Sequence, residues 1–113
     1  MTEPDDATPV LDLLASMTAD SLEASTLDPQ SLALVRIAAL VAVDAPPVSY
    51  LANLAAAGDL GVDEDQVRGV LTAIAPIVGT ARVVSASGNI VRALGLALDL
   101  AELDEELGDE DTA

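Results

Sequence analysis

The stretch that decides the fold is DPQSLALVRIAALVAV, residues 28–43. Asp28 is a preferred N-cap residue and Pro29 suits the first helical position, so together they predict a helix start. From residue 32 to residue 43 the helix is apolar on nearly every side, with Arg36 as its one charge. A helix of this kind must be buried on most sides. In so short a chain, this predicts a central helix wrapped by other helices or by a partner subunit.

Helical signals also dominate the sequence on both sides of this stretch. The predicted helices cover residues 10–24, as one helix or a pair, then 48–57, 64–75 and 80–107. Gly58 has the usual position of a helix C-cap, and Asp63 with Gln66 forms a predicted capping box. Pro76 and Gly79 break the pattern before the last helix. Because no segment alternates as a strand would, the predicted fold class is all-α, a bundle of five or six helices.

The charge of the chain is concentrated at its two ends. The 113 residues contain 20 acidic residues against four arginines, for a formal net charge of −16. Residues 1–30 hold seven of the acids and residues 99–113 hold eight, whereas all four arginines lie in residues 31–98. We expect an acidic disordered segment at residues 1–8, one helical domain at residues 9–107 and an acidic tail at residues 108–113. We interpret the two acidic ends as solvated segments that keep the protein soluble, in preference to sites of specific binding.

The residues that are absent exclude several classes of chemistry. The chain has no Cys, His, Lys, Trp or Phe. Thiol nucleophiles, histidine-based triads, Schiff-base lysines and the usual zinc ligands are excluded, and we expect no cofactor and no metal. Four arginines against 20 acids disfavour nucleic acid as a partner. The longest charge-free stretches, 45–58 and 69–81, are too short to span a membrane and the N-terminus is acidic, so we expect no membrane segment and a cytoplasmic protein.

The composition also predicts association between subunits. Hydrophobic residues make up 51% of the chain, but aromatic residues only 1%. Alanine, leucine and valine let helices approach closely, yet a chain of this size covers only about 65% of its unfolded surface. We therefore expect a homo-oligomer in which one apolar helix face is buried between subunits, with the acidic ends at the outer rim.

Five consecutive segments share the layout of a known family of helical proteins. They are the apolar helix at 34–43, LANLAAAG at 51–58, GVDEDQV at 61–67, GVLTAIAPIVG at 69–79 and TARVVSA at 80–86. In these segments the chain resembles the carboxymuconolactone decarboxylase and alkyl hydroperoxidase D-like family. The resemblance implies a helical bundle of that type that assembles as a homo-oligomer, a trimer or a hexamer.

The resemblance also implies where an active site would lie. In the hydroperoxidase branch a Glu, a Cys-x-x-Cys pair and a His carry out peroxide chemistry. The corresponding positions here are Leu34, Pro46, Ser49 and Asn53. All are changed and the chain has no Cys, so thiol peroxidase activity is excluded. A decarboxylase-like activity stays possible, although His cannot take part in it.

Polar residues lie in and beside this implied site. Ser49, Asn53 and the nearest carboxylate, Asp44, are candidates for catalytic roles, because Ser49 has no other general base nearby in the sequence. Tyr50 is a candidate for contact with a ligand. The competing interpretation is that these residues supply polarity at a helix start and on the surface.

Arginines and small polar residues supply the other candidates for ligand binding. Arg36 is alone in an apolar helix, so we expect it to form an ion pair, to bind an anion in a pocket or to reach the surface. Arg82, Ser85 and Asn89 are spaced to share a face, where they serve close helix packing or form a polar pocket with Arg36. The acidic clusters at 63–65 and 104–106 lack the pattern of a calcium loop, so neither is a predicted metal site.

Two functions stay open for this sequence. The leading hypothesis is a non-catalytic, oligomeric binding or interaction protein without redox chemistry. The alternative is a cofactor-free lyase or decarboxylase-like enzyme that acts on a small anionic lactone or carboxylic acid. In that enzyme Arg36 and Arg82 hold the anion, and Asp44 or Asn53 assists proton movement. A dry pocket that brings an arginine and a carboxylate together would favour the enzyme.

Overall fold

Five α-helices make up the described part of the chain. The structure, a computed structural model, describes the backbone of residues 8–112 and the side chains of residues 8–107. The helices are α1 (Thr8–Ala24), α2 (Pro29–Ala42), α3 (Pro47–Asp59), α4 (Glu64–Val78) and α5 (Thr80–Thr112). No strand occurs in this range, which confirms the all-α prediction. The predicted disordered segment 1–8 lies outside the described residues except for Thr8, which begins α1.

Helix α2 begins where its sequence predicts. The carboxylate of Asp28 accepts hydrogen bonds from the backbone N–H of Ser31 at 3.1 Å and from the Ser31 hydroxyl at 2.7 Å. These bonds hold the pKa of Asp28 below its usual value. They satisfy a backbone donor that the first turn of a helix otherwise leaves without a partner.

Helix α2 lies at the centre of the bundle. It packs against α3, α4 and α5, and its inner residues Ala33, Ile37 and Val41 are buried. Its outer face is open, since Val35 is 55% exposed and Ala39 and Ala42 are exposed as well. The helix is central as expected, and the described residues leave one of its faces uncovered.

Helix α3 ends at a later glycine than the sequence predicts. Gly58, the predicted C-cap, lies within the helix, which continues to Asp59. The turn is made by Gly61, whose φ of 85° lies in the left-handed region that glycine tolerates best. The N–H of Val62 donates to the Ala57 carbonyl at 3.0 Å. The N–H of Gly61 donates to the Gly58 carbonyl at 3.0 Å, which completes a Schellman motif.

The capping box predicted for α4 is confirmed, but the predicted end of this helix is wrong. Asp63 Oδ1 accepts from the N–H of Gln66 at 2.9 Å, and Gln66 Oε1 accepts from the N–H of Asp63 at 2.9 Å. Pro76 lies inside the helix, which ends at Val78 and not at residue 75. Proline removes a single backbone donor there, so the helix continues until Gly79, with a φ of 92°, ends it.

Two small apolar clusters form the core. The larger joins the α2–α3 region to α5 and contains Val41, Ala45, Tyr50, Ala86 and Ala93. The smaller joins α2 to the end of α3 and to α4. Alanine supplies five of the eight buried hydrophobic residues. The helices therefore approach closely, but each buried residue removes little apolar area from water.

Helix α1 and the C-terminal part of α5 extend away from this core. Every residue of α1 is exposed, and so is every residue from 96 to 107. The radius of gyration is 16.7 Å, against about 13 Å for a compact chain of this length. Helix α5 continues to Thr112, beyond the predicted end at residue 107. These two extended segments carry most of the exposed leucines.

Within the described residues, α5 contains one segment that is long and apolar enough to cross a membrane. That segment, Thr80–Leu107, meets the criterion by length and composition only. It also carries Arg82, Arg92 and five acidic residues. Its Ala86 and Ala93 are buried in the larger core cluster. The core helix of a bundle meets the same criterion.

Candidate functional site

A polar cluster joins the α2–α3 turn to α5. Asp44 Oδ1 accepts a hydrogen bond of 2.7 Å from the Ser85 hydroxyl. The Asn89 amide donates to the Ala45 carbonyl at 3.2 Å and lies 3.5 Å from Ser85 Oγ. Ser85 and Asn89 are one helical turn apart, so both side chains reach the same turn. The structure thus brings together three predicted site residues, Asp44, Ser85 and Asn89.

Asp44 has an unusual backbone conformation at the end of α2. Its φ of 55° makes it the one non-glycine residue of the described chain with a positive φ. The N–H of Ala45 donates to the Leu40 carbonyl at 3.0 Å, and the N–H of Asp44 donates to the Val41 carbonyl at 3.1 Å. This is a Schellman motif with aspartate at the position that glycine usually occupies. Aspartate tolerates the left-handed region because its short side chain forms local hydrogen bonds.

Arg92 extends this cluster and was not among the residues predicted to bind a ligand. Its Nη1 donates to Oδ1 of Asn89 at 3.3 Å. With its oxygen held in this way, the Asn89 amide directs its NH₂ group toward Ala45. The sequence could have indicated this contact through spacing, because Arg92 follows Asn89 by three residues on the same helix.

Tyr50 lies in the core and not in an open pocket. Its side chain is fully buried, and its hydroxyl has no hydrogen-bond partner among the described residues. Burial raises the pKa of Tyr50, and the nearby charge of Asp44 raises it further. The phenol is therefore kept protonated and out of contact with solvent.

Ser49 and Asn53 are joined to each other and not to Asp44. The Asn53 amide donates to the Ser49 carbonyl at 3.0 Å, one turn earlier in α3. Both residues are half-buried. Asp44 is engaged by Ser85 instead. The described hydrogen bonds thus do not assemble Asp44, Ser49 and Asn53 into one catalytic group.

Arg36 and Arg82 lie apart from the polar cluster. Arg36 Nη2 donates to the hydroxyl of Ser21 on α1 at 3.1 Å. The ion pair that we expected for Arg36 is not formed among residues 8–107. Arg82 is exposed on the first turn of α5. The two arginines therefore do not meet in a shared anion pocket.

An apolar groove of about 400 Å³ lies between α3, α4 and α5. We call it the α3–α5 groove. Its apolar lining includes Leu54 and Ala57 of α3, Val67 and Leu71 of α4, and Ile90 and Leu94 of α5. Sequence reasoning missed the groove, although the pairs on α4 and α5 are each four residues apart and so share a helix face.

The rim of the α3–α5 groove is acidic. Asp63, Glu64 and Arg68 stand at its edge. Arg68 forms ion pairs with Asp65 and with Glu64, the latter at 2.8 Å, and these contacts raise the pKa of Arg68. Because this arginine is already paired, the groove attracts an anion weakly. Its hydrocarbon lining suits apolar groups best.

The lining of the groove is mostly apolar. Apart from its rim and Ser87, the groove is lined by hydrocarbon side chains. Within the described residues, no group of three acidic side chains is placed to hold a metal ion. No protein-family model, no curated protein and no solved structure matches this chain.

Proposed function

We propose that the chain is a non-catalytic, homo-oligomeric interaction protein, similar to the carboxymuconolactone decarboxylase and alkyl hydroperoxidase D-like family but without thiol chemistry. The observation that carries this proposal is the exposure of leucines on α1 and on the end of α5. Leu11 and Leu13 are each 60% exposed, and Leu100 is 55% exposed. Monomeric proteins rarely leave large contiguous apolar faces uncovered.

The exposed residues form faces, because they recur at helical spacing. The apolar stripe of α1 consists of Val10, Leu13, Leu14 and Met17. The leucine face of α5 consists of Leu96, Leu100, Leu103 and Leu107. Burial of such faces between copies supplies hydrophobic contacts that the small core of one chain lacks.

The alternative function, a cofactor-free enzyme for a small anionic lactone or acid, is not favoured by the described contacts. It requires Arg36 and Arg82 to hold an anion in one pocket. Arg36 instead bonds to Ser21, and the lining of the α3–α5 groove includes neither arginine. Asp44, a candidate proton carrier in that enzyme, is held by Ser85.

Light scattering coupled to size-exclusion chromatography tests the proposal. At micromolar concentration we expect a mass that is a multiple of one chain, with a trimer or a hexamer implied by the family resemblance. A mass of one chain throughout the micromolar range would contradict the proposal, because the apolar faces would then be stable in water without a partner.

A further inference from the structure

We propose that α1 of one copy binds in the α3–α5 groove of a second copy, so that the copies are joined by exchange of this helix. The inference rests on the proposed oligomer and names the two surfaces that form it. The occupant of the groove is therefore a second copy of this chain.

Helix α1 has no packing surface within its own chain. It spans 17 residues, and none of them is buried. A hydrogen bond from Arg36 to Ser21 ties it to the bundle. Most of the stability of a helix in a protein comes from packing of its apolar face, so a stable α1 requires an apolar surface against its stripe.

The groove continues beyond its first cavity. A second cavity shares Leu54 and Leu94 with the first and adds Ala97. A third continues from Ala97 to Leu107 along the exposed end of α5. From residue 87 to residue 107 the α5 side of this surface is about 30 Å long, and α1 is about 25 Å long. The lengths match, as in complexes where an amphipathic helix lies in an apolar groove.

Helix α1 does not line the groove of its own chain. The residues that line the groove come from α3, the α3–α4 turn, α4 and α5. Helix α1 is instead tied to α2 by the hydrogen bond from Arg36 to Ser21. Residues 25–28 are the whole connection between α1 and α2. The groove is thus open to α1 of another copy.

The area of this contact is sufficient for association. A helix about 25 Å long and about 10 Å wide covers about 250 Å². Each copy buries its own α1 and its own groove, so a reciprocal dimer buries about 1,000 Å², the lower limit for a specific interface. Because donor and acceptor surfaces differ, the exchange closes as a reciprocal dimer or as a ring of three, in which each contact buries about 500 Å² and the three contacts together bury about 1,500 Å².

The charge of the molecule that occupies the groove distinguishes a second copy of this chain from a basic partner. Helix α1 carries Asp12, Asp20 and Glu23 and no basic residue, and its helical spacing places Asp12 and Glu23 opposite the apolar stripe. The groove rim carries Asp63 and Glu64. Salt screens the repulsion between these acids, so added salt strengthens the contact between copies. Binding of a basic partner would weaken with salt instead.

Introduced cysteines test the exchange, because the chain has none of its own. Full-length Met17→Cys is mixed with Leu94→Cys, Ala97→Cys or Leu100→Cys, and the oxidised products are weighed by mass spectrometry. We expect a mixed disulfide between position 17 and at least one groove position. In the matched control, Ala19→Cys, the cysteine lies on the side of α1 opposite the apolar stripe, and the mixed disulfide is lost.

Any other result contradicts the exchange of α1 between copies. A disulfide within one chain of the double variant Met17→Cys/Leu94→Cys would place α1 in its own groove. A disulfide between two copies of Met17→Cys would show that α1 pairs with α1. An oligomer that forms no disulfide between position 17 and the groove contradicts the exchange of α1, but it agrees with the proposed function. A monomer in light scattering overturns both.

Discussion

The hydroxyl of Ser85 donates a 2.7 Å hydrogen bond to Oδ1 of Asp44, whose φ is 55°. This bond connects the α2–α3 turn to α5. The turns that end α2 and α3 have the same backbone hydrogen bonds, but one uses Asp44 and the other uses Gly61. An aspartate at a position where glycine is least strained points to a requirement for its side chain. Ser85 is the residue that this side chain contacts.

We expect Asp44→Ala to lower the free energy of unfolding more than Asp44→Gly does. Both substitutions lose the bond to Ser85, worth about 1 kcal/mol. Alanine keeps the cost of a left-handed backbone, about 1 kcal/mol, whereas glycine removes it. Urea unfolding followed by circular dichroism measures the difference. Ser85→Ala should then cost nothing further in the Asp44→Gly background, and a full cost there would show that Ser85 acts through another contact.

Tyr50→Phe removes a hydroxyl that is buried without a partner in the described chain. An unsatisfied buried hydroxyl costs about 1–3 kcal/mol. We therefore expect the free energy of unfolding to stay unchanged or to rise by about 1 kcal/mol. Tyr50→Leu, which also removes the ring, serves as the control and should destabilise the core. A clear loss of stability in Tyr50→Phe would mean that the hydroxyl binds a buried water.

The ionisation of Tyr50 should be coupled to unfolding at alkaline pH. Burial, and then the charge of Asp44, raise the pKa of Tyr50 above its usual 10.0. Below that pH the phenol is protonated in both states and does not affect stability. As the pH rises above it, the unfolded chain loses the proton first, so the free energy of unfolding falls.

Tyrosinate absorbance measures this coupling, because the chain has one tyrosine and no tryptophan. We expect tyrosinate to appear together with the loss of helical circular dichroism, in one cooperative step. A gradual titration centred at pH 10.0 with the helices intact would show that Tyr50 is accessible to solvent in the folded protein.

Two glycines close to the end of α3 should respond in opposite ways to alanine. Gly58 lies within the helix with open space at its Cβ position, so Gly58→Ala should stabilise by up to about 1 kcal/mol. Gly61 has a φ of 85°, and a Cβ there would lie 3.3 Å from Gln30 Nε2. Gly61→Ala should therefore destabilise by about 1 kcal/mol or more. Thermal unfolding compares the two variants, and equal shifts would contradict the Schellman turn at Gly61.

The starts of the helices were more predictable from sequence than their ends. The capping residues Asp28, Asp63 and Gln66 form hydrogen bonds with residues only three positions away. A helix start of this kind can therefore be recognised from a short stretch of sequence. The sequence contains two glycines that are candidates to end α3, Gly58 and Gly61. The choice between them depends on a backbone dihedral angle, which packing of the chain around the turn determines.

The candidate site was predictable only in part, for a related reason. The spacing of Ser85 and Asn89 predicted a shared face, but their contact with the α2–α3 turn joins residues that are distant in the sequence. Tyr50 was expected to meet a ligand, and the structure buries it among residues of three helices. The α3–α5 groove likewise depends on how three helices are placed, which no local pattern encodes.

The apolar stripe of α1 predicts how the oligomer responds to two matched substitutions. Leu14→Asp and Ala19→Asp each add one negative charge to α1, so the net charge of the two variants is equal. Leu14 lies on the apolar stripe, and helical spacing places Ala19 on the opposite side. We expect Leu14→Asp to dissociate the oligomer, because burial of an unpaired carboxylate costs several kcal/mol. Ala19→Asp should leave the oligomer intact in light scattering.

The two remaining outcomes separate charge from hydrophobic contact as the cause of any dissociation. Equal dissociation of both variants would show that repulsion between acidic chains controls assembly, and added salt would then restore both equally. Dissociation of neither variant would show that α1 lies outside the interface. Dissociation of Leu14→Asp alone, at low and at high salt, locates the contact on the apolar stripe, because salt does not remove the cost of burying a charge.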